Sequence, residues 1–393
     1  MQSTGSTDIK EIKEYKENQG IPIHGVIMSS YAPQENPFTP TFGEVPAHMA
    51  GRAVLVNDLR RALSSAKRHP NLTTAITGAR GSGKTALLSF AAEEAERRGW
   101  IAVRTVALPG MLDDVLISTR RKAAHLLSPK AARVTGVEVG QMPGVEWERE
   151  DEPTNWRNEM TGLLEQLDET ETGLLITVDE VQPKLPEMVQ LAAIYQIFVT
   201  EGRKVALLMA GLPHNMLALE TDKTVSFLRR AQKWQLGRIE DYEVEDAMRR
   251  TIEESDRFIA PSALKKAAAA ANGFPFMMQL VGFRMWDQHP GQREITDADA
   301  DAGILLANKE MREGIVRATY EALSPVDKAF LNAMLPDDRL STMSDIAQRM
   351  GKTHSYATQY KNRLLGHGII EEAPGGVRFQ LPLMREYIAD QQL

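Results

Sequence analysis

The chain has 393 residues, no cysteine, and 46 Lys+Arg against 53 Asp+Glu, a formal net charge of −7. That length accommodates two or three domains. The lack of cysteine excludes a disulfide framework and a thiolate zinc site, and the acidic balance excludes a generally polybasic nucleic-acid binder while leaving room for one local basic face. No apolar run reaches the ~18 residues of a membrane span. Met1 to Asn18 is polar and charged, without the core of a signal peptide, so a cytoplasmic protein with no membrane contact is expected.

In chain order, residues 1–45 carry several prolines and few periodic apolar positions. They read as a tail and then an extended strap, Asn36 to Gly43, lying on a domain surface. Over residues 46–240 strands and helices alternate. Helix Val54–Lys67 is followed by strand 73–78, helix 85–97, strand Ile101–Leu108 and helix Met111–Leu127. A polar stretch over 129–155, with Pro129, Gly136, Gly140, Pro143 and Gly144, reads as an insertion. Helix Trp156–Asp168, strand Leu174–Asp179, helix Leu185–Val199, strand Lys204–Ala210, short helix Val225–Ala231 and strand Trp234–Ile239 complete the series. Such alternation predicts an α/β fold with a parallel sheet covered by helices. Residues 241–322 turn all-helical: Val244–Ser255, Pro261–Ala271, Phe276–Asp287 and Asp297–Ala322. Residues 323–393 read as helices Ser324–Leu335, Met343–Met350 and Ser355–Leu365, then strands Ile369–Ala373 and Val377–Leu381 around the turn Pro374-Gly375-Gly376. Three helices and a hairpin predict a winged helix-turn-helix.

The chemistry concentrates in Gly78-Ala79-Arg80-Gly81-Ser82-Gly83-Lys84-Thr85, the pattern G-x-x-x-x-G-K-T. Its glycines let backbone N–H groups close around a triphosphate; Lys84 reaches the β- and γ-phosphates and the Thr85 hydroxyl ligates Mg²⁺. The flanking strand and helix aim a helix N-terminus at the anion. A turn that merely joins strand to helix is the bland alternative. Strand Leu174–Val178 ends in Asp179-Glu180. Beside a phosphate loop the first carboxylate holds Mg²⁺ and the second orients or deprotonates water; an acidic helix cap is the other reading. ATP and Mg²⁺ are therefore the expected ligands, with Gly78, Gly81, Ser82, Gly83, Lys84 and Thr85 as the cradle.

At this point the chain resembles the AAA+ ATPases, in their origin-recognition-like and STAND-like branches, over roughly residues 36–390. Ala50-Gly51-Arg52 resembles the "GR" box flanking adenine, Gly78–Thr85 Walker A, Val178-Asp179-Glu180 Walker B, Lys204–Pro213 the sensor-1 strand, and Gly273-Phe274-Pro275-Phe276 the G-x-P turn of a helical lid. The resemblance implies that Gly51, Arg52 and Pro275 contact nucleotide. It also implies that Arg229 and Arg230 supply an arginine finger to a neighbouring subunit in an ATP-dependent oligomer. A solvated pair at a helix C-terminus would equally suit the dipole. Two departures stand out. Sensor 1 ends Leu208-Met209-Ala210-Gly211, where relatives place Asn, Thr or Ser, although His214 and Asn215 follow. No arginine adjoins the G-x-P turn, Arg284 being a candidate further on. Both departures are similar to those of STAND switches and imply slow turnover.

In the third C-terminal helix Ala357, Tyr360 and Leu364 are expected to face the core. Ser355, Tyr356, Gln359, Asn362 and Arg363 then face solvent, with Lys361 at the edge and Arg378 in the wing. These side chains suit duplex DNA: Gln and Asn read adenine, Arg and Lys hold phosphate or read guanine. Glu371 and Glu372 beside the wing oppose phosphate, and a winged helix also serves protein contacts. Two readings follow: an AAA+ ATPase coupling nucleotide-dependent assembly to DNA, in replication, transposition or mobile-element control, or a STAND-like switch with a regulatory protein partner. A small-molecule kinase explains neither lid nor winged helix.

Overall fold

The computed structural model describes residues 35–41, 43–65, 68–126 and 153–392. The tail before residue 35 and most of the expected insertion, 127–152, lie outside the described residues.

Apolar residues of helix α1 (Ala53–Ser64) recur on one face, and Val56, Leu59, Ala62 and Leu63 are buried. The strands that follow are short, and β3 and β4 are almost wholly buried: β1 (Thr73–Gly78), β2 (Ile101–Val106), β3 (Leu174–Asp179), β4 (Val205–Gly211) and β5 (Gln232–Leu236). They form one parallel sheet in the order β2-β3-β4-β1-β5. Crossovers α2 (Lys84–Glu96), α3 (Met111–Ala123), α4 (Pro153–Glu169) and α5 (Pro186–Thr200) cover its faces, as a parallel sheet buried on both sides requires. One face packs Ile101, Val103, Ile176 and Met209 against α3, α4 and α5. The other packs Ile76, Ala102, Leu175 and Leu208 against α1 and α2.

This order positions the site. Strand β4 lies between β1 and β3, with Thr77 opposite Gly211 and Val178 opposite Met209. The phosphate loop after β1, the end of β4 and the Asp179-Glu180 pair after β3 therefore share one edge of the sheet, where ligands bind in such folds.

After β4 the structure adds α6 (Pro213–Thr221), which the sequence reading missed; Pro213 begins it at N1. The expected helix Val225–Ala231 is a 3₁₀ turn, Ser226–Arg230. Then come α7 (Asp241–Glu253), α8 (Pro261–Ala271), α9 (Pro275–Trp286) and α10 (Asp297–Met311), with a two-residue parallel pairing of β6 (Phe258–Ile259) and β7 (Glu294–Ile295). The expected helix Asp297–Ala322 is broken by a π-turn at Arg312–Val316 before α11 (Arg317–Glu321). Helices α12 (Pro325–Met334), α13 (Met343–Arg349) and α14 (His354–Gly366) each start at a Ser or Thr N-cap, Ser324, Thr342 and Thr353. Strands β8 (Ile370–Ala373) and β9 (Gly376–Phe379) pair antiparallel, and a further helix, α15 (Met384–Asp390), closes the chain. One apolar core joins α7–α10, the C-terminal helices, Phe38 of the strap and Ala79 of the phosphate loop.

The strap is pinned to α9. Asn36 Nδ2 donates to Phe283 O at 3.0 Å and to Asp287 Oδ1 at 2.9 Å, and Thr39 N donates to Gln279 Oε1 at 3.0 Å. Phe38 is buried against Gly282. Among the described residues no helix is long and apolar enough to cross a membrane.

Candidate functional site

The loop after β1 folds by its glycines. Gly81 and Gly83 stand at φ +76° and +90°, a region costly for other residues. A Cβ on Gly81 would lie 2.6 Å from Phe274 Cε1, so only glycine lets the loop meet the turn before α9. Phe276 N donates to Gly81 O at 3.3 Å, tying α9 to the loop. Ser82 is buried, and its Oγ has no hydrogen-bond partner. Such an orphan in a polar cradle is satisfied by a ligand oxygen or by water.

Lys84 is 6% exposed, and its Nζ donates to Gly78 O at 3.0 Å and Ala79 O at 2.9 Å. Burial lowers its pKa from the usual lysine range; the Glu180 and Asp179 carboxylates oppose that fall and Arg80 adds to it. Thr85 Oγ1 donates to Asp179 Oδ2 at 2.6 Å, so the predicted metal ligands are together. Asp179 Oδ1 accepts from Glu180 N at 2.8 Å, and Glu180, at φ +50°, turns its exposed side chain into the cleft. An oxygen pair beside a buried lysine and a ring of loop N–H groups has the donor set of a Mg²⁺–triphosphate site.

Ser82, Lys84, Thr85 and Glu180 line a cavity of about 650 Å³, large enough for a nucleotide; Asp179 lies outside that lining, bonded to Thr85. Arg80, Gly81, Ser82, Gly83, Lys84, Thr85 and Glu180 form one wall; Met49, Arg52, Ile239, Pro275 and Gln279 form others. Arg52 Nη2 donates to Gly237 O at 2.8 Å, and burial lowers the Arg52 pKa against the pull of Glu243. Gly51 and Gly78 do not line the cavity. A Cβ on Gly51 would meet Ile239 Cγ2 at 2.7 Å, and one on Gly78 would meet Ser82 Oγ at 2.4 Å, so both are packing positions. The sequence reading missed Arg80, the strap residues Thr39 and Thr41, Gln279, and Ile315 and Thr319 from the π-turn and α11. Only Arg80 carried a signal, its place inside the loop pattern.

Among solved structures the chain is similar to the ORC2 protein of Aeropyrum pernix (ADPNP–ADP complexes). Identity is 15%, coverage is 89% of this chain and 96% of that one, and the TM-score is 0.61. It is also similar to a Walker-type ATPase of Pyrococcus abyssi, at 14% identity, covering 86% of this chain and 95% of that one, with a TM-score of 0.61. The sheet order, the loop and the overlay agree. The chain has the AAA+ P-loop NTPase fold. A family model described as a domain of unknown function (DUF8462) matches residues 313–388. No curated protein matches.

Strand β4, expected to carry sensor 1, ends in buried Met209, Ala210 and Gly211, none with a polar side chain. His214 does not replace them: its Nδ1 is bonded to Gly366 O at 2.8 Å, outside the cavity lining. Arg284 turns to Glu310, Nε to Oε1 2.5 Å, and is absent from the cavity wall. Arg229 and Arg230 end the 3₁₀ turn, both exposed; Arg229 Nε donates to Glu220 O at 3.1 Å.

On α14, Ser355, Gln359, Asn362 and Arg363 are exposed, and Ala357 and Leu364 buried. The tyrosines differ from expectation. Tyr356 and Tyr360, one turn apart, pack against each other with ring centroids 5.1 Å apart and planes tilted by 43°, so each is half-buried rather than one outside and one in the core. The cations are also partnered. Arg363 pairs with buried Asp327 at 2.5 Å, Lys361 with Glu372 at 2.8 Å and Arg378 with Glu371 at 2.6 Å. Glu371 and Glu372, expected to oppose phosphate, thus also neutralise two of the cations expected to hold it.

Proposed function

We propose that this protein binds and hydrolyses Mg²⁺–ATP, and that nucleotide-dependent self-assembly is coupled to duplex DNA held by a C-terminal winged helix. We read residues 46–240 as the nucleotide-binding domain, 241–322 as the lid and 323–393 as the winged helix. The observation that carries the nucleotide reading is the Thr85–Asp179 contact of 2.6 Å beside Lys84, with Glu180 at the rim. Thr85 and Asp179 would hold Mg²⁺, which neutralises charge on the β- and γ-phosphates. Lys84 leaves its two carbonyls for the phosphates. Glu180 accepts a proton from the attacking water. Arg229 or Arg230 of a neighbouring subunit stabilises the charge that develops. With no polar sensor-1 side chain and Arg284 turned away, turnover is slow in an isolated chain.

The test is a titration with a fluorescent ATP analogue followed by phosphate release, with and without duplex DNA. One nucleotide per chain with slow, DNA-stimulated turnover supports the reading; no nucleotide binding overturns it. The pairing of Arg363, Lys361 and Arg378 with carboxylates favours a second reading, a STAND-like switch whose C-terminal module meets a protein. A protein that binds nucleotide but shows no salt-dependent DNA binding selects that reading.

A further inference from the structure

The turn Gly366-His367-Gly368 at the end of α14 has no part in the chemistry above, yet it sits on the phosphate loop. His214 Nδ1 in the first turn of α6 donates to Gly366 O at 2.8 Å. The His367 ring meets the His214 ring edge-on, centroids 5.0 Å apart at 61°. Gly368, at φ +68°, lies so close to the loop that a Cβ there would be 2.6 Å from Ala79 Cα. A Cβ on Gly366 would be 2.9 Å from His214 Cβ. Ala79 is 1% exposed, and its carbonyl is one of the two that hold Lys84 Nζ. One residue therefore touches the C-terminal turn and, through its carbonyl, the lysine that must move for a phosphate.

We propose that residues 366–368 are a clasp that pins the phosphate loop in the conformation in which Ala79 holds Lys84, so that docking of the C-terminal module and nucleotide binding oppose each other. Protonation of His367 opens the clasp. The link to ATP rests on the nucleotide reading above; the clasp itself does not. Because coupling is reciprocal, nucleotide loosens the module and a broken clasp tightens nucleotide binding.

The groups facing His367 fix the sign of the pH effect. Burial is the main cause lowering its pKa; His214 on α6, Arg363 on its own helix and Arg80 of the loop lower it further, and Asp327 on α12 opposes them. The docked state thus binds fewer protons than the open one. The clasp is at full strength above the ordinary histidine value of about 6.5 and weakens as pH falls below it toward the lowered value. Protonating His367 leaves the His214–Gly366 bond in place; what is added is repulsion of the His367 ring from Arg80 and Arg363.

The chain has no cysteine, so spin labels can be placed at two exposed alanines, Ala218→Cys on α6 and Ala389→Cys on α15, and their separation read by pulsed electron resonance. At pH 7.5 a single short distance is expected, and at pH 5.5 a second, longer population. His367→Gln, which keeps a polar side chain but does not titrate, should hold one distribution at both pH values. Gly368→Val should give the longer population already at pH 7.5 and bind an ATP analogue at least threefold tighter. In the parent, Mg²⁺–ATP analogue should raise the longer population, and in Lys84→Ala it should not. One unchanged distance across pH and in Gly368→Val overturns the clasp. Opening without any nucleotide binding by the parent refutes the ATP reading while the clasp stands. Nucleotide binding that leaves the distance unchanged, with Gly368→Val within twofold of the parent, overturns the linkage.

Discussion

Lys84→Ala tests the nucleotide site at its most buried charge. In this structure Lys84 already makes two hydrogen bonds, to Gly78 O and Ala79 O. Phosphate contact therefore exchanges bonds rather than adding them. A hydrogen bond between two charged groups exceeds one to a neutral carbonyl by about 1–1.5 kcal/mol, so two exchanges are worth about 2–3 kcal/mol. That is a loss of about 30- to 150-fold in affinity for the triphosphate. The truncation also removes a buried ammonium whose desolvation offsets its two bonds, so stability without nucleotide should change by no more than about 1 kcal/mol. Affinity is read by titration with a fluorescent ATP analogue and stability by urea denaturation. A mutant that binds within twofold of the parent would refute the loop as a phosphate cradle; one that unfolds without nucleotide would refute the exchange argument.

Glu180→Gln should keep Mg²⁺–ATP affinity within about threefold and slow turnover by about 100-fold or more, the contribution typical of a positioned base; equal phosphate release by mutant and parent would remove Glu180 from that role. Asp179→Asn should weaken the Mg²⁺ dependence of nucleotide binding, read by titrating the metal at fixed nucleotide; an unchanged metal curve would free Asp179 from that role. An Arg229→Ala/Arg230→Ala subunit mixed with a Glu180→Gln subunit should regain some ATPase activity, and mixtures that co-assemble without rescue would count against an arginine finger. Gln359→Ala/Asn362→Ala should relax DNA sequence preference by about 1–3 kcal/mol per lost base contact while leaving the salt slope alone; unchanged preference in a DNA-binding parent would take α14 out of the groove.

The phosphate-loop wall of the cavity was legible because such a loop fixes both residue type and spacing. Gly81, Gly83, Lys84 and Thr85 fall in one short pattern, and Asp179-Glu180 follows an apolar strand. The sheet was legible for a similar reason, since alternating buried strands and amphipathic helices admit few arrangements. The far wall of the cavity was not. Thr39, Gln279 and Thr319 come together only through the strap bound to α9 and the π-turn before α11, and no local pattern announces such contacts. The pairing of Arg363 with Asp327, 36 residues apart, was hidden in the same way. Helix α6 was missed because Pro213 reads as the end of the Lys204–Pro213 segment, whereas it opens the helix at N1. The turn on Ala79 gave no signal either: Gly366-His367-Gly368 looks like an ordinary helix end.

On the proposed reading, a Mg²⁺–nucleotide in this cleft governs what the chain assembles with. Native mass spectrometry of the parent protein with Mg²⁺ and a non-hydrolysable ATP analogue, with and without duplex DNA, reads both at once. The expected result is one nucleotide per chain, multimers that require the nucleotide, and DNA retained on those multimers. A protein that stays monomeric and carries no nucleotide at saturating analogue would contradict it.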